Sequence, residues 1–422
     1  MPTATTLDAA GRAAIGSACE DVRDAGEADD VDGVPAAVVA RPTSAEQVSE
    51  VLRAADAHGL TVVPAGRRTK LTWGRPPTRL DVLLDVSGLD RVLEHAAGDL
   101  IVVTEAGARL SDVQDTVSAS GQMLAVDETV PGSSIGGTLA TATSGPGRLS
   151  TGTMRDLLIG VSMVRPDGVV AKAGGRVVKN VAGYDVGKLL VGSFGTLAVV
   201  TEAVFRLHPL PTTRRWVTAP FDDAAQGYRL TRQVLHSQSV PQGLEVDWPA
   251  EGPGTVGVLL AGKEEGVAGR TSTVLSMLGA DAQQTGAAPA GWSAYPWDPT
   301  ATGDERSTAL KLTFALSGLP DVLRATRSSG IPIALRGSAG AGVVYAAFPP
   351  ATGVDAVSAA VEALRAVCAR HGGSLVVLDA PAVVKQVVDT WGPIAAIDLM
   401  RRVKERFDPH LRLSPGRFVG GI

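Results

Sequence analysis

Three glycine-rich segments, spread over residues 64–197, constrain this chain more than any other feature. The first is Pro64-Ala65-Gly66-Arg67-Arg68-Thr69-Lys70-Leu71, which follows the apolar run Leu60–Val63 without a break. The second is Pro131-Gly132-Ser133-Ser134-Ile135-Gly136-Gly137-Thr138. The third runs from Gly174-Gly175-Arg176 through Asn180 and Gly183-Tyr184-Asp185 to Gly192-Ser193-Phe194-Gly195-Thr196-Leu197. Consecutive backbone amides in turns of this kind can converge on a concavity that holds an anion. Glycines there leave no Cβ to intrude on a ligand. Each segment therefore has the physics of a dinucleotide cradle, and their order along the chain sets the problem the fold must solve.

The surrounding pattern is that of an α+β protein. Val38–Ala40 reads as a short strand that Pro42 stops, and Thr43 with Glu46 offers a capping box for the helix that follows. Val48, Val51, Leu52 and Ala55 recur at helical spacing, and Gly59 stands where a C′ residue belongs. Val82–Val86, Ile101–Glu105, Val161–Arg165 and Leu197–Leu207 read as strands, and Leu110–Val117 as a helix. Residues 126–160 are dense in Gly, Ser, Thr and Pro yet keep apolar residues throughout, which predicts ordered loops packed against something. After His208-Pro209-Leu210-Pro211 the glycine-rich pattern ends. From 213 to 385 strand-like runs (Val256–Leu260, Leu310–Leu316, Val343–Phe348, Leu375–Leu378) alternate with helix-like Val354–Arg370, predicting a separate α+β unit. The tail, 386–422, carries a helix over Ile394–Phe407 that Asp408-Pro409 ends.

Several function classes drop out. With 44 acidic against 39 basic residues the net charge is −5, so no electrostatic reason exists to expect nucleic acid or an anionic membrane as partner. No run of apolar residues is long enough for a membrane span, and the N-terminus has no secretory pattern. The two cysteines, Cys19 and Cys368, form no CxxC pair or iron–sulfur run, which fits a reducing cytoplasm. A GxGxxG match at Gly252–Gly257 follows polar residues and precedes a strand, so it lacks the strand–turn–helix context of a Rossmann fingerprint. No two of the six histidines lie within five residues of one another, so no histidine pair of metal-site spacing exists. His58 and His371, each beside a glycine, read as helix C-terminal residues.

Taken together, the three segments resemble the flavoprotein superfamily of vanillyl-alcohol oxidase and p-cresol methylhydroxylase (PCMH). Within it, GGRVVKNVAGYDVGKLLVGSFGTL with ATSGPGRLSTGTMRDLLIG is most similar to the FAD-binding subunits of glycolate oxidases, and DLMRRVKERFDPHLRLSPGRF is similar to that family's returning C-terminal segment. The resemblance implies a PCMH-type FAD-binding domain of two α+β subdomains over 1–212, a cap over 213–385 and a tail, 386–422, that rejoins the FAD domain. It implies FAD contacts from Ala65–Lys70 at the pyrophosphate, flanked by Pro64 and Leu71. Pro131, Ser133, Ser134, Ile135, Gly136 and Gly137 would line pyrophosphate and ribityl. Thr141, Ser144, Gly145 and Arg148 would follow the cofactor, with Leu197, Val199 and Val200 beside it and Arg417 from the tail.

The departures are informative. Only Gly66 remains of a first loop that is usually richer in glycine, and any φ > 0 position now held by Arg67, Arg68 or Lys70 would be costly. Those cations would add charge to the phosphate site. No His or Cys occurs in this loop or from 96 to 207, so the usual covalent flavin attachments are missing and FAD is expected to bind non-covalently. The His-Gly-Asp-Gly-Asn-type stretch of metal-dependent relatives is also missing. No catalytic base stands out. The candidates for holding a substrate carboxylate are Lys311 and Arg336 in the cap, while Tyr184 and Asp185 read as structural at least as readily as catalytic; in the structural reading Tyr184 packs its ring and Asp185 caps the next helix.

The resemblance thus predicts an FAD-dependent oxidation of a small 2-hydroxy acid such as glycolate. It also predicts a second FAD subunit and an iron–sulfur subunit as partners, through which membrane association would come. Two other readings are a flavin-bearing assembly subunit without substrate turnover, and a stand-alone sugar or polyol oxidase of the same fold.

Overall fold

The computed structural model describes residues 7–176 and 184–422. The stretch Val177–Gly183 of the third glycine-rich segment lies outside the described residues. The architecture is α+β, built on three main sheets.

The first sheet has the order β1 (Val22–Asp24), β2 (Val38–Ala40), β4 (Val82–Asp85), β3 (Val62–Ala65), with β2, β4 and β3 parallel. Helix α1 (Ala9–Ala18) and helix α2 (Ala45–Ala57) cover one face, where Val48, Val51, Leu52 and Ala55 meet Val38, Ala40, Val62, Val82 and Leu84. Val39, Val63, Ala65 and Leu83 are buried on the other. Burial on both faces is what a parallel sheet requires, and it explains why these strands are apolar throughout. The α2 cap falls one residue later than the sequence suggested: Ser44 accepts from the Gln47 amide, and Gln47 Oε1 takes the Thr43 amide. Ser44 is the residue with extended backbone before the first turn, so its oxygen, not that of Thr43, reaches the free amide.

The second sheet is antiparallel, in the order β5 (Val92–Ala96), β6 (Ile101–Glu105), β9 (Val199–Arg206), β7 (Leu158–Val164), β8 (Val170–Gly174). Helices α3 (Leu110–Ser118) and α4 (Ile135–Thr141) pack on it through Leu110, Val113, Ile135 and Leu139 against Val102, Ala203 and Phe205. Strand β3 and helix α4 thus belong to different sheets, and the loops that leave them face each other.

The third sheet has eight antiparallel strands, in the order β13 (Gln283–Thr285), β10 (Thr213–Phe221), β12 (Gly254–Gly262), β11 (Gly243–Trp248), β15 (Ala334–Ser338), β16 (Val343–Phe348), β14 (Thr308–Thr313), β17 (Leu375–Asp379). The period-2 rule sorts its side chains. Val217, Leu244, Val246, Val256, Val258, Leu310, Leu335, Val344 and Val377 pack under helices α5 (Ala224–Leu235), α6 (Glu264–Leu278), α7 (Leu319–Ser328) and α8 (Val354–Arg370). The alternate residues face away from those helices. The GxGxxG stretch runs directly into β12, so it opens no helix.

The tail carries helix α9 (Ile397–Phe407), three residues shorter at its start than the sequence suggested, and then returns to the first sheet. Leu413 bridges Val62, with the Val62 amide donating to Arg412 O and the Ser414 amide to Val62 O. Buried Lys404 ties this return together through Asp408 and the carbonyls of Thr196 and Leu413.

Candidate functional site

The loop after β3, the start of α4 and residues 190–200 line a groove that opens to solvent. Its tightness rests on missing side chains. A Cβ on Gly66 would stand 2.3 Å from Ser134 Oγ, and one on Gly195, itself at φ +68, would stand 2.7 Å from Pro64 Cγ. The three glycine-rich segments therefore do meet, through the second half of the third. Its first part, Gly174–Arg176, lies at edge strand β8, away from the groove, with Arg176 paired to Glu94.

The backbone amides of Gly66, Arg67, Arg68, Thr69 and Lys70 have no hydrogen-bond acceptor among the described residues, and all five residues line the groove. The amides at the start of α4 are by contrast already used: Ile135 donates to Ala108 O, Gly136 to Ala106 O and Gly137 to Ser134 Oγ. The first loop thus leaves its amides free toward the groove, and α4 is the wall it leans on.

The charges divide in a way the sequence did not show. Arg68 does occupy the left-handed region, at φ 61, and is held there by ion pairs to Asp29 (2.8 Å) and Asp85 (3.2 Å). Arg67 reaches Gly107 O and Asp90. Both guanidinium charges are therefore matched by carboxylates. Lys70 is different. It is buried, its Nζ donates to Ser133 Oγ at 2.6 Å and Thr69 Oγ1 at 3.2 Å, and burial pushes its pKa down to about 8 against a weak opposing pull from Glu128. Arg417, also buried, donates from Nη2 to Leu71 O and Trp73 O, while its Nη1 has no partner; burial lowers its pKa to about 10. The segment that positions it is clamped by a buried cluster in which Lys385 and Arg306 bridge Asp32 and Asp379.

Of the residues the sequence suggested for cofactor contact, Pro64, Ala65, Gly66, Arg67, Arg68, Thr69, Lys70, Leu71, Ser134, Gly136, Gly137, Thr141, Val199, Val200 and Arg417 line this groove. Ser133 acts from behind, through Lys70. Ile135 and Leu197 are packed into cores, and Pro131 is exposed. Leu190, Ser193, Phe194 and Ala106 line the groove without having announced themselves, because an apolar or small residue in a loop carries no distinguishing pattern. Tyr184 is 94% exposed and does not pack its ring, and the next helical turn is capped at Val186 without a side chain, so Asp185 is not its cap. Both expectations relied on the chain leaving the third segment closely packed, and at Tyr184 it is not.

Ser144, Gly145 and Arg148 lie instead in a second space, facing the helix-free side of the cap sheet with Thr129, Glu245, Trp292, Tyr295, Arg336, Ser338 and Tyr345. Register puts Asp247, Arg336, Tyr345 and Lys311 in one row across β11, β15, β16 and β14. Adjacent members are about 5 Å apart, so Arg336 and Lys311 flank Tyr345 at about 10 Å from each other. Arg148 enters from the other side: its Nη2 donates to Tyr345 Oη at 3.1 Å and to Ser144 O. Arg336 is paired to Asp247 at 2.9 Å, whereas no carboxylate is within ion-pair distance of Arg148 or Lys311 among the described residues. No cluster of three metal-ligating side chains occurs among the described residues.

Profiles of two families match the chain: the FAD binding domain over residues 35–174 and the C-terminal domain of FAD linked oxidases over 308–418. The chain belongs to the FAD-linked oxidases with a PCMH-type FAD-binding domain, and FAD is its cofactor. The free amides of 66–70, the unmatched charge of Lys70 and the unpartnered Nη1 of Arg417 fit that polyanionic, carbonyl-rich molecule.

Over 209 residues the chain is 32% identical to an FAD-linked oxidoreductase of Mycobacterium tuberculosis, covering 50% of this chain and 46% of that one. It is 30% identical over 213 residues to the glycolate oxidase subunit GlcD of Bacillus subtilis, covering 50% and 45%. It is 36% identical over 174 residues to the mitochondrial D-lactate dehydrogenase (cytochrome) of Arabidopsis thaliana, covering 41% and 30%. Each match thus spans less than half the relative's length. A solved alkyldihydroxyacetonephosphate synthase shares the fold, with a TM-score of 0.72 at 16% identity over 99% of this chain and 87% of that one. No described helix is long and apolar enough to cross a membrane.

Proposed function

We propose that this chain holds FAD non-covalently in the groove and oxidises a 2-hydroxy acid, glycolate-like at its carboxylate and adjacent hydroxyl, to the 2-oxo acid. It does so as a subunit of a multi-subunit glycolate oxidase, with a second FAD subunit and an iron–sulfur subunit as partners. Residues 1–212 and 386–422 form the FAD-binding part and 213–385 the cap. The amides of 66–70 and Lys70 take the pyrophosphate, and Arg417 an oxygen of the cofactor. FAD supplies a two-electron acceptor. No His, Cys or Tyr is among the described residues that line the groove, which supports the non-covalent reading.

The observation that carries the substrate reading is the convergence of Arg148 on Tyr345, between Arg336 and Lys311. Arg148 and the free Nε of Arg336 orient a carboxylate, and Tyr345 sets the position of the neighbouring hydroxyl. The names of similar proteins support this: a glycolate oxidase subunit, D-lactate dehydrogenases and a D-2-hydroxyglutarate dehydrogenase.

Anaerobic mixing of the FAD-loaded protein with a series of 2-hydroxy acids tests the reading. Bleaching of the flavin absorbance by at least one acid is expected, without acceleration by added manganese or zinc. No bleaching by any of them, alone or with co-expressed partner subunits, overturns it.

A further inference from the structure

Among the described residues thirteen buried side-chain polar atoms lack a hydrogen-bond partner, and four of them, Ser144 Oγ, Glu245 Oε1, Ser338 Oγ and Arg336 Nε, belong to residues that line one chamber on the helix-free face of the cap sheet. Buried polar groups are ordinarily satisfied, so a cluster of unsatisfied ones around a concavity marks where a ligand's hydrogen bonds belong. We propose that this chamber is built for a 2-hydroxy acid with a polyhydroxylated chain, of the aldonic acid class, whose further hydroxyls are taken by Glu245, Ser338 and Ser144. The inference rests on the 2-hydroxy acid reading and narrows it.

Register explains how the cluster arises. Glu245 stands opposite Gly257 on β12, and on β15 its neighbour in the row is Ser338, because Val246 pairs with Gly337. This second row lies one pleat away from the Asp247–Arg336–Tyr345–Lys311 row. A carboxylate held by Arg148 and Arg336 therefore leaves the rest of a longer acid running along Glu245 and Ser338. Both rows face the same side, because Leu244, Val246 and Leu335 point into the helix-covered core.

The chamber alone is small, about 20 Å³, but it adjoins a cleft of about 140 Å³ that shares Glu245, Trp292 and Arg336 and adds Thr218, Asp247 and Thr255, so an acid long enough to reach past Arg336 has room that the chamber alone does not give. Trp292 forms its wall in a built position. Its ring lies over Gly243 and Gly257, where a Cβ would stand 2.9 Å and 2.7 Å from ring carbons. An aromatic face beside hydroxyl, carboxyl and guanidinium groups suits the alternating C–H and O–H faces of a polyol. The loop that carries Trp292, residues 286–307, also places Tyr295 against Thr129 and Gly291 O on Arg336, so one segment roofs the chamber.

Glu245 sets the preference. It is 7% exposed, and burial raises its pKa to about 8, with Asp127 adding to the rise and Ser338 and the nearby arginines opposing it. A neutral carboxyl can both donate to and accept from a hydroxyl, and leaving it unpaired beside a short ligand is unfavourable. Glycolate does that; an aldonate does not.

The test is binding to the FAD-loaded protein at pH 7, followed by calorimetry and tryptophan fluorescence, with D-gluconate, glycolate and sorbitol as probes. Gluconate is expected to bind at least 10-fold more tightly than glycolate. Ser338→Ala and Glu245→Met are each expected to shrink that ratio by about 10-fold, with FAD occupancy and melting temperature reporting that the variants fold. Equal affinity for the two acids, or a ratio unmoved in Ser338→Ala, overturns the inference and leaves the 2-hydroxy acid reading intact. Binding of neither acid overturns both. Sorbitol binding as tightly as gluconate overturns the acid class.

Discussion

On the proposed reading, the groove and the cap chamber solve two recognition problems with different materials. The groove offers mostly backbone: free amides of one loop, close approaches that only glycine permits, and a single unmatched lysine. The chamber offers side chains set at every second position of adjacent strands, Glu245 and Asp247, Arg336 and Ser338, Tyr345 and Lys311. A backbone site specifies a charge distribution and tolerates few changes of shape. A side-chain site on a sheet face can be rewritten residue by residue while the sheet stays the same. One chain can thus keep its cofactor and change its substrate.

The most severe way to break this contrast is Gly66→Val. A Cβ there meets Ser134 Oγ at 2.3 Å, so the loop must move and its amides leave their positions. FAD affinity is expected to fall more than roughly 100-fold, the scale of losing several charge-assisted hydrogen bonds. The cap's own unfolding transition should remain, which calorimetry checks. Gly136→Val is the poorer probe. Its Cβ would meet Ala106 Cβ and O at 3.0 Å, so it disturbs the packing of α4 whether or not FAD is present.

Lys70→Met sharpens the claim about charge. Loss of one buried charge-assisted contact should weaken FAD binding by roughly 10–100-fold. The wild-type protein carries a pH signature. With a folded pKa of about 8, below the 10.5 of a free lysine, Lys70 is charged below that pH and loses its charge as pH rises through it. FAD affinity, measured by fluorescence quenching, should therefore fall between pH 7 and 9.5 in the wild type. In Lys70→Met it should be flat over that range.

Arg148→Met should have the smallest effect and separates the two sites most directly. Acid binding, read from flavin spectral perturbation, is expected to weaken by about 10-fold. FAD occupancy should not change, since Arg148 lines the chamber and not the groove. A loss of FAD in this variant would merge the two sites into one.

The same contrast explains what could be read beforehand. Val38–Ala40, Ile101–Glu105, Val343–Phe348 and Val354–Arg370 were legible to the residue because hydrophobic periodicity records burial directly. The first loop was legible because the need for an absent side chain leaves glycine in the sequence. That Lys70 would be the unmatched cation was not, since Asp29, Asp85 and Asp90 reach Arg68 and Arg67 only through the fold. Glu245 had no signal at all. A glutamate between Leu244 and Val246 reads as the wet face of an amphipathic strand, and it is the loop over residues 286–307, with Thr129 and residues 144–148, that turns that face inward. Lys311 and Arg336, found by residue type, gained meaning only when register set them on either side of Tyr345.

The returning tail sets an order of events during synthesis. Strand β3 and the first loop are made well before the residues whose hydrogen bonds fix them, Arg412, Ser414 and Arg417, the last lying 346 residues beyond Leu71. A nascent chain can fold its first sheet and its cap while the groove still lacks one wall. On the proposed FAD site, cofactor loading becomes a late checkpoint: flavin is expected to be retained only by chains translated past Arg417, and a product truncated shortly before it is expected to be colourless.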